Sequence, residues 1–457
     1  MYRFRSYEAL IGRKELQNQE IYFASLKELN DPIEGYKHTY WQGDRIQWES
    51  LFVHYAACLA ITIISKDVFG DTFTLNRSVI LPKLEKIHLL DERAIDLFKE
   101  IRNGFSEIAE FKALTTALES SGRKISTSEL EVILELAHLD LCVVAMRCLN
   151  KLNIIADLDF QTRILRRQDF SSTQKIVDIL ASLKEKSNVT EAARLMEIAG
   201  FANMQMRLRS ALGHSKNGRV SDYILSDFPF EYVLKINDLM YPQWYVACFT
   251  SNWTNSSLWG NYGDRHKGFC LKFKDEINNK LHIESSKSSE SISVTLKPII
   301  YSNERPEINF FEWLGRLPIP QILEHWMTGF NGEVSAKYRI FIDRIDEWRK
   351  EYHQVFDTIC RTKLEDWLHE KEMRITIDDM FGNYEDPANR VFRYDFEDLE
   401  GIAFGLNTKL EHKIEVINII KAKCRSINRD DFSFYNARYS AESGIVEVQR
   451  MSFIDCK

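Results

Sequence analysis

Strict alternation of apolar and polar residues, which is typical of half-buried β-strands, is concentrated toward the two ends of the chain. It predicts strands over residues 1–5, 21–25, 245–249, 268–273, 292–301, 373–377, 402–404, 432–439 and 445–449. Pro298 has no N–H to give to a β-ladder, so we expect the strand that contains it to lie at a sheet edge.

Apolar residues at helical spacing dominate the middle of the chain. They predict helices at about 46–64, 84–120, 151–185, 190–212, 318–365 and 408–422. Ser126 is followed three residues later by Glu129, which is the capping-box spacing, so another long helix should begin there and reach about Asn150. No strand is predicted from 75 to 221, and glycine (19) and proline (9) are few enough to favour helix.

Together these elements predict an α+β fold in which distant segments assemble one mixed sheet. We expect residues 1–74 and 222–457 to form a discontinuous α+β module that carries the functional site. Residues 75–221 then form an all-helical insertion or a separate helical domain.

The charge distribution bears on possible partners. The net charge of −7 is small for 457 residues, but residues 160–220 contain eleven Lys or Arg against five Asp or Glu. Such a basic helical stretch is compatible with contact to nucleic acid. It is more often an ordinary solvated helix face.

Cysteine and histidine spacing predicts neither a disulfide framework nor a structural metal. None of the eight cysteines forms a C-x-x-C pair, and the eleven histidines form no H-E-x-x-H pattern. The chain opens without the apolar stretch of a signal peptide, and its longest apolar run, Ala56 to Ile64, is shorter than the roughly 20 residues of a membrane span. We therefore expect reduced thiols, no metal, no membrane segment and a cytoplasmic location.

Two groups of polar residues near the start of the chain are candidates for ligand binding. Arg3 and Arg5 share one face of the first predicted strand, where forked donors suit a phosphate or carboxylate. Asn30, Asp31 and Glu34 offer an amide and two carboxylates beside a rigid proline turn. The structural alternatives are an exposed strand face and a turn that caps the next helix.

Two further groups follow in the second half. Ser251 ends a predicted strand, and the loop after it brings Trp259, Tyr262 and His266 together. The aromatic rings could stack on a planar ligand. Trp259 equally fits a position in the core. Later, three charged residues at strand spacing should point the same way, where they could stabilise a cationic transition state or act as a general base. They are Glu370, Glu372 and Arg374. The alternative is a surface salt-bridge cluster.

Taken in order, these motifs resemble a widespread bacterial family of unknown function. The resemblance rests on Asn-Asp-Pro-Ile-Glu-Gly at 30–35, Cys-Phe-Thr at 248–250, Trp-Gly-Asn-Tyr at 259–262, His-Lys-Gly-Phe at 266–269, Glu-Lys-Glu-Met-Arg at 370–374 and Ile-Ala-Phe-Gly at 402–405. Thr250 replaces the serine usual in that family, Leu258 a methionine and Met373 a tryptophan, and the helical stretch 75–221 is unusual for it. The family implies no reaction.

A second resemblance does imply one. ADP-ribosyltransferases of the Arg–Ser–Glu type have three motifs in a fixed order. An arginine lies on the first strand, a hydroxyl group ends a middle strand, and Glu-x-Glu precedes a late strand, and this chain resembles them in that order. The resemblance implies a split sheet, with Glu372 as the catalytic carboxylate, Glu370 orienting the acceptor and Ser251 organising the site. It implies contacts to NAD from Arg3, Arg5, Asn30, Asp31, Glu34, Trp259, Tyr262, His266 and Arg374, with Tyr262 stacking on nicotinamide.

The expected function is therefore an NAD-dependent ADP-ribosyltransferase or NAD glycohydrolase that modifies a protein or nucleic-acid acceptor, in the setting of a bacterial toxin or anti-phage defence effector. One alternative is a nuclease whose Mg²⁺ is held by carboxylates and assisted by a lysine. Its candidate residues are Asp31, Glu34, Glu370, Glu372, Lys267 and Lys371. The other alternative is a non-enzymatic nucleotide sensor or partner-binding module.

Overall fold

A computed structural model describes residues 1–69, 75, 77–80, 92–154, 169–185, 198, 200, 201, 205, 208, 223–274, 280–285 and 291–456. The chain forms two compact units. Unit 1 comprises Met1–Tyr36, Gln243–Pro306 and Val355–Lys457, and unit 2 comprises Lys37–Pro242 and Glu307–Gln354. Residues 74, 221 and 222 lie outside the described residues, so the module boundaries expected there stay predictions.

The elements are numbered in chain order. The described strands are β1 Tyr2–Arg5, β2 Glu20–Tyr22, β3 Ala24–Ser25, β4 His38–Trp41, β5 Ile125–Ser126, β6 Gln243–Thr250, β7 Phe269–Phe273, β8 Lys280–Ser285, β9 Ser291–Thr295, β10 Lys297–Pro298, β11 Ile300–Tyr301, β12 Glu307–Asn309, β13 Thr362–Lys363, β14 Glu372–Asp379, β15 Val391–Tyr394, β16 Leu399–Phe404, β17 Ser433–Ser440 and β18 Ile445–Arg450. The described α-helices are α1 Glu15–Asn18, α2 Arg45–Phe69, α3 Arg77–Ile80, α4 Glu92–Ser106, α5 Ala109–Ser121, α6 Thr127–Lys151, α7 Ser171–Glu185, α8 Phe228–Ile236, α9 Ser256–Asn261, α10 Ile319–Gln321, α11 Ile340–Asp343, α12 Ile345–Arg361 and α13 Leu410–Ser426.

Unit 1 is built on a nine-stranded sheet in the order β10-β14-β6-β1-β7-β16-β17-β18, with β3 also paired to β6. The β16–β17 pair is parallel and the β1–β7 pair antiparallel, so the sheet is mixed. Segments from the start, middle and end of the chain are hydrogen-bonded side by side in it. The predicted α+β class, with a sheet assembled from distant segments, is confirmed, and Pro298 lies in an edge strand as expected.

Successive side chains of β6 point to opposite faces of this sheet, and the two faces have different roles. Tyr245, Ala247 and Phe249 enter the apolar core of unit 1, which also receives the buried side of α13 and residues from the four-stranded sheet β2-β15-β8-β9. Val246 and Cys248 alternate with them on the other face and line a cleft, which Phe249 also reaches. The same strand therefore anchors the core with one face and presents a site with the other.

Unit 2 is mainly helical. Its two 25-residue helices, α2 and α6, contact each other and pack with α4, α5 and α7 around buried aromatic residues. The predicted capping box is confirmed, because Ser126 Oγ accepts from Glu129 N at 3.2 Å and Glu129 Oε2 accepts from Ser126 N at 2.9 Å. By length and composition α2 could cross a membrane over Arg45–Lys66, but 78% of its apolar window is buried inside the protein, as a core helix would be.

Four predictions about helical regions are wrong in part. The helix expected at 84–120 is divided into α4 and α5, and residues 152–154 and 169–170 of the helix expected at 151–185 are not helical. The stretch 75–221 was expected to lack strands, yet β5 pairs with β4, because the N-cap Ser126 has extended backbone (φ −73°, ψ 167°) that finds a partner at Tyr40. The helix expected at 318–365 is broken into α10, a π turn, α11 and α12, and Gly332, at φ +76°, lies in the break. Most of the predicted helix 190–212 and most of the basic stretch 160–220 lie outside the described residues, and residues 198, 200, 201, 205 and 208, which are described, are helical.

Candidate functional site

The candidate site lies where three neighbouring strands of unit 1 reach the same level. β14 pairs with β6 along its whole length and places Glu372 opposite Thr250, and β1 places Tyr2 opposite Thr250 on the other side. That is the one pair that β1 shares with β6, whereas all four residues of β1 pair with β7. The sheet is therefore weakly joined between β1 and β6.

A cleft of about 190 Å³ opens beside these strands. It is lined by Tyr2, Arg3, Phe4, Arg5, Tyr22, Ala24, Glu28, Leu29, Asn30, Glu34, Val246, Cys248, Phe249, Thr250, Leu258, Tyr262, Lys363, Glu370, Glu372 and Arg374. Eight of the residues proposed from sequence are in this set: Arg3, Arg5, Asn30, Glu34, Tyr262, Glu370, Glu372 and Arg374. The four motif groups, far apart in the chain, thus contribute to one concave surface.

Five charged side chains form a buried network in the wall of this cleft. The ammonium of Lys363 contacts carboxylate oxygens of Glu34 at 3.1 Å, Glu370 at 2.7 Å and Glu372 at 3.1 Å. Arg374 donates from Nε and Nη2 to Glu372 Oε1 at 2.9 and 2.7 Å, and from Nη2 to Glu34 Oε2 at 3.1 Å. All five residues are buried. Three carboxylates and two cations leave the network with one excess negative charge.

The network favours the charged forms of Glu372 and Lys363. Burial alone would raise the pKa of Glu372, but Arg374 and Lys363 outweigh it and hold that pKa below the ordinary value. Burial opposes the charged form of Lys363, yet the carboxylates around it, led by Glu372 and Glu34, raise its pKa well above the ordinary value. At neutral pH the cleft therefore presents a fixed carboxylate held between two fixed cations.

Tyr262, in the loop after helix α9, adds a hydrogen bond to the buried charge network. Asn255 caps the start of helix α9, where its side chain accepts from Ser257 N at 2.8 Å, and Tyr262 follows the last residue of that helix. The Tyr262 hydroxyl donates to Glu370 Oε1 at 2.6 Å. Burial and then Glu370 raise the pKa of Tyr262, so the hydroxyl stays protonated and acts as a donor.

Arg3 brings to the cleft a buried donor group that the described residues do not satisfy. Its Nη2 donates to the carbonyl of Tyr22 at 3.1 Å and its guanidinium lies 5.3 Å from the centre of the Phe249 ring, but its buried Nη1 has no hydrogen-bond partner among the described residues. Burial, followed by repulsion from Arg5, lowers the pKa of Arg3 to about 10. Arg5 differs, because Glu15 neutralises it through a bond from Nε to Oε2 at 2.7 Å. Arg3 is thus the side chain best placed to receive an anionic group.

The hydroxyl at the end of β6 belongs to Thr250 and not to Ser251. Thr250 Oγ1 is buried, donates to the Glu370 carbonyl at 2.7 Å and accepts from Asn252 N at 2.9 Å. Ser251 is exposed and does not line the cleft. Its backbone N–H donates to the carbonyl of Lys371 at 3.1 Å. The strand period of two puts Thr250, not its neighbour, on the face of Val246 and Cys248.

Three further residues proposed from sequence lie outside the lining. Trp259 is fully buried, donates from Nε1 to the Trp253 carbonyl at 2.7 Å and meets Phe4 edge-on, so it has the core role that its sequence also allowed. Asp31 Oδ1 accepts from Ile33 N at 2.9 Å and builds the turn. His266 has a left-handed backbone (φ 65°) and lies 3.4 Å from the Ser256 hydroxyl.

Lys363 was missed by the sequence reading. It follows α12 in the two-residue strand β13, which pairs with β11, and no spacing rule marks it. The one available signal is the balance of charge among the grouped residues. Three carboxylates with a single arginine are expected to need a second cation if they are buried together. Among the described residues, no group of three or more His, Cys, Asp or Glu side chains is arranged to hold a metal ion.

Comparison with known proteins adds one result. No curated protein and no solved structure matches the chain. One protein-family model does match part of the chain. The matched stretch begins four residues before Tyr262 and includes Lys363, Glu370, Glu372 and Arg374, whereas Arg3 and Glu34 lie outside it. It covers about a quarter of the chain, so the expected relation to a family of unknown function is confirmed for that part. Residues 258–375 match the family described as "Protein of unknown function (DUF2971)".

Proposed function

We propose that the cleft binds NAD and cleaves its bond between nicotinamide and ribose, transferring ADP-ribose to an acceptor or to water. One observation carries the proposal: Thr250 and Glu372 pair directly across the adjacent strands β6 and β14, and Arg3, the residue after the one that pairs with Thr250 from β1, lines the same cleft. This is the chain order and grouping implied by the resemblance to ADP-ribosyltransferases of the Arg–Ser–Glu type, with Thr250 in the position of the serine.

The chemistry asks for the charges that this cleft supplies. When the bond from ribose C1′ to the nicotinamide nitrogen breaks, both bonding electrons leave with nicotinamide, which becomes neutral, and positive charge develops on the ribose. The ionised Glu372, held in place by Arg374 and Lys363, is a preorganised negative charge that stabilises this cation. The acceptor then attacks C1′ through its oxygen or nitrogen and loses a proton.

The other groups bind and orient in this proposal. The unpartnered Nη1 of Arg3 would donate to the diphosphate, and the Tyr262 ring would lie against nicotinamide. Glu370, fixed by Tyr262 and Lys363, would orient the acceptor. The acceptor itself, whether protein, nucleic acid or water, and a role in a toxin or in anti-phage defence stay predictions.

The test measures binding and turnover separately. Purified full-length protein is titrated with NAD by calorimetry, and nicotinamide release is followed by chromatography with and without a cell extract as acceptor source. We expect Glu372→Gln to retain NAD binding and to lose at least about a hundredfold in release, in the range seen when one preorganised charge is removed. Arg3→Met should weaken binding itself. Absence of NAD binding to the wild-type protein would contradict the proposal.

A matched variant controls for stability. Glu129 is also a buried glutamate paired with an arginine, Arg123, but it belongs to unit 2 and does not line the cleft. Glu129→Gln should therefore lose stability, as a variant at Glu372 does, while releasing nicotinamide at the wild-type rate. Equal losses of release in both variants would assign the effect at Glu372 to stability and not to chemistry.

A second candidate, nucleotide binding without turnover, is favoured by one observation: both oxygens of Glu372 already contact cations, as in a structural ion network. NAD binding that is unaffected by Glu372→Gln, with no release in any extract, would support it. The magnesium nuclease fits the donor set less well. Asp31 does not line the cleft, and Lys363 contacts the other three carboxylates of the proposed metal site.

A further inference from the structure

Unit 2 contains a second and larger cavity of about 290 Å³, here called the unit 2 cavity. Its walls are mainly apolar and include the aromatic side chains of Phe98, Trp326 and Phe330. Every residue of its described lining belongs to unit 2, so it is separate from the cleft of unit 1. A concave, largely apolar site with a few polar groups is the usual form of a small-molecule site.

One polar group in this wall is not satisfied by the protein. Glu49 is 4% exposed, and its Oε1 is bonded to Arg45. Its Oε2 is buried and has no hydrogen-bond partner among the described residues. Gly329 also lines the cavity, and a Cβ placed on it would lie 3.6 Å from Oε2, so this oxygen is close to a wall position that carries no side chain.

Two other polar side chains of the cavity wall already have partners. His54 Nδ1 lies 2.8 Å from Tyr232 Oη, and His54 Nε2 lies 3.2 Å from the Ile80 carbonyl oxygen. Arg102 donates to the carbonyl of Thr328. Burial raises the pKa of Glu49 despite Arg45, because the carboxylate is incompletely compensated. A buried acceptor left without a donor is costly, and a ligand that supplies the donor recovers that cost.

We propose that the unit 2 cavity binds a small ring compound that donates an N–H group to Oε2 of Glu49. The aromatic walls favour a flat ring, and the orphaned oxygen selects a compound with an amino or ring N–H group. A net positive charge on the ligand is not required, since Arg45 already bonds to Glu49 and Arg102 also lines the cavity. This site goes beyond the NAD chemistry proposed for unit 1 and does not depend on it.

Matched pairs of ring compounds test the donor requirement on the full-length protein. Indole is compared with 1-methylindole, and 9-methyladenine with 9-methylpurine, by ligand-observed NMR titration. We expect binding by the N–H-bearing member of at least one pair, and binding by its partner to be about tenfold weaker or more, because hydrogen bonds to charged groups are the strong ones. If neither N–H-bearing compound binds, or if 1-methylindole and 9-methylpurine bind as tightly as their partners, the proposal is overturned.

Two variants place the binding in this cavity. Leu317→Trp fills the cavity from its wall and should abolish binding, whereas Ile340→Trp, in a different depression of unit 2, should leave binding unchanged. Glu49→Leu should remove the preference for the N–H-bearing member of each pair. Should Glu49→Leu fail to fold, the compound pairs and Leu317→Trp still decide the matter. Binding that survives Leu317→Trp, with circular dichroism showing a folded protein, would also overturn the proposal.

Discussion

At the scale of single residues, Lys363 organises the candidate site. One ammonium group satisfies oxygens from Glu34, Glu370 and Glu372, which come from three separate stretches of the chain. Buried charges are tolerated only when each has a partner of opposite sign and good geometry. Removing this cation would leave three carboxylates facing one another with Arg374 as the remaining cation of the network.

Replacing Lys363 by methionine should therefore destabilise unit 1 strongly. We expect a loss of about 3–5 kcal/mol in the free energy of unfolding, which is the range for breaking a buried ion pair from one side. Denaturant unfolding followed by tryptophan fluorescence measures it. Lys297→Met is the control, because Lys297 is half exposed in its pair with Asp357, and it should cost less than about 1 kcal/mol. Similar losses in the two variants would contradict the role given to Lys363.

The depressed pKa of Glu372 predicts a dependence of stability on pH. The unfolded chain should protonate this glutamate near pH 4.3, as an ordinary glutamate does, while the folded protein holds it ionised to lower pH. Its contribution to stability is thus complete above about pH 4.3 and is lost as the pH falls through the folded value.

Comparison of the wild type with Glu372→Gln isolates this contribution. The difference in their free energies of unfolding should be the same at pH 7 and pH 5.5 and should shrink below about pH 4.3. Chemical denaturation at pH 7, 5.5, 4.5 and 3.5 would show it. A difference that stays constant down to pH 3.5 would mean that the folded protein does not depress this pKa.

Motif order in the sequence was enough to group Arg3, Tyr262, Glu370 and Glu372 in one site, because each adjoins a strand that could be recognised. It could not say which neighbour faces the cleft, and Ser251 was taken where the strand period selects Thr250. Nor could it separate Trp259 from Tyr262. The two differ in tertiary contacts, a buried bond to a carbonyl for one and a carboxylate partner for the other.

At the scale of elements, long segments with clear periodicity were predicted well. β6, β14, β17 and α13 all lie within a few residues of their predicted positions. The short strands β4, β12 and β15 were missed, because three or four residues carry too little alternation to be recognised. Their extended backbone is stabilised by ladder partners elsewhere in the chain; β4, for example, pairs with β12 about 270 residues later.

The capping box of α6 gives a prediction at this scale. Ser126→Ala removes the acceptor for the Glu129 N–H and should lower the stability of unit 2 by about 0.5–2 kcal/mol. Thr116→Ala is the control within helix α5, where the exposed hydroxyl bonds back to the Lys112 carbonyl and alanine should be neutral or slightly stabilising. Thermal unfolding by circular dichroism compares the two. A smaller loss for Ser126→Ala than for Thr116→Ala would contradict this account of the helix start.

At the scale of the whole molecule, the two units are interleaved along the chain, with crossings after Tyr36, Pro242, Pro306 and Gln354. Two of these crossings follow a proline, and the last lies inside the range of α12. Composition does not change abruptly at any of them, so sequence patterns could indicate a discontinuous module without locating these positions. They are set by long-range pairing, which no local window contains.

The central position of β1 predicts that unit 1 depends on the first residues of the chain. Replacing all four residues of Tyr2–Arg5 by serine should remove the strand between β6 and β7 and abolish cooperative unfolding of unit 1. Replacing Ala441 and Glu442 by serine, in the exposed turn between β17 and β18, should be tolerated. Protease resistance and circular dichroism would distinguish the variants. Resistance unchanged in the β1 variant would show that the sheet closes without it.

The place of β1 also has a consequence for biosynthesis. Tyr2 pairs with Lys272, so a ribosome adding roughly 5–20 residues per second needs on the order of 15–50 s between making the strand and making its partner. The whole of Lys37–Pro242 is translated in that interval. During that interval the strand, with its aromatic and cationic side chains, has been made but lacks β7, with which all four of its residues pair in the folded sheet.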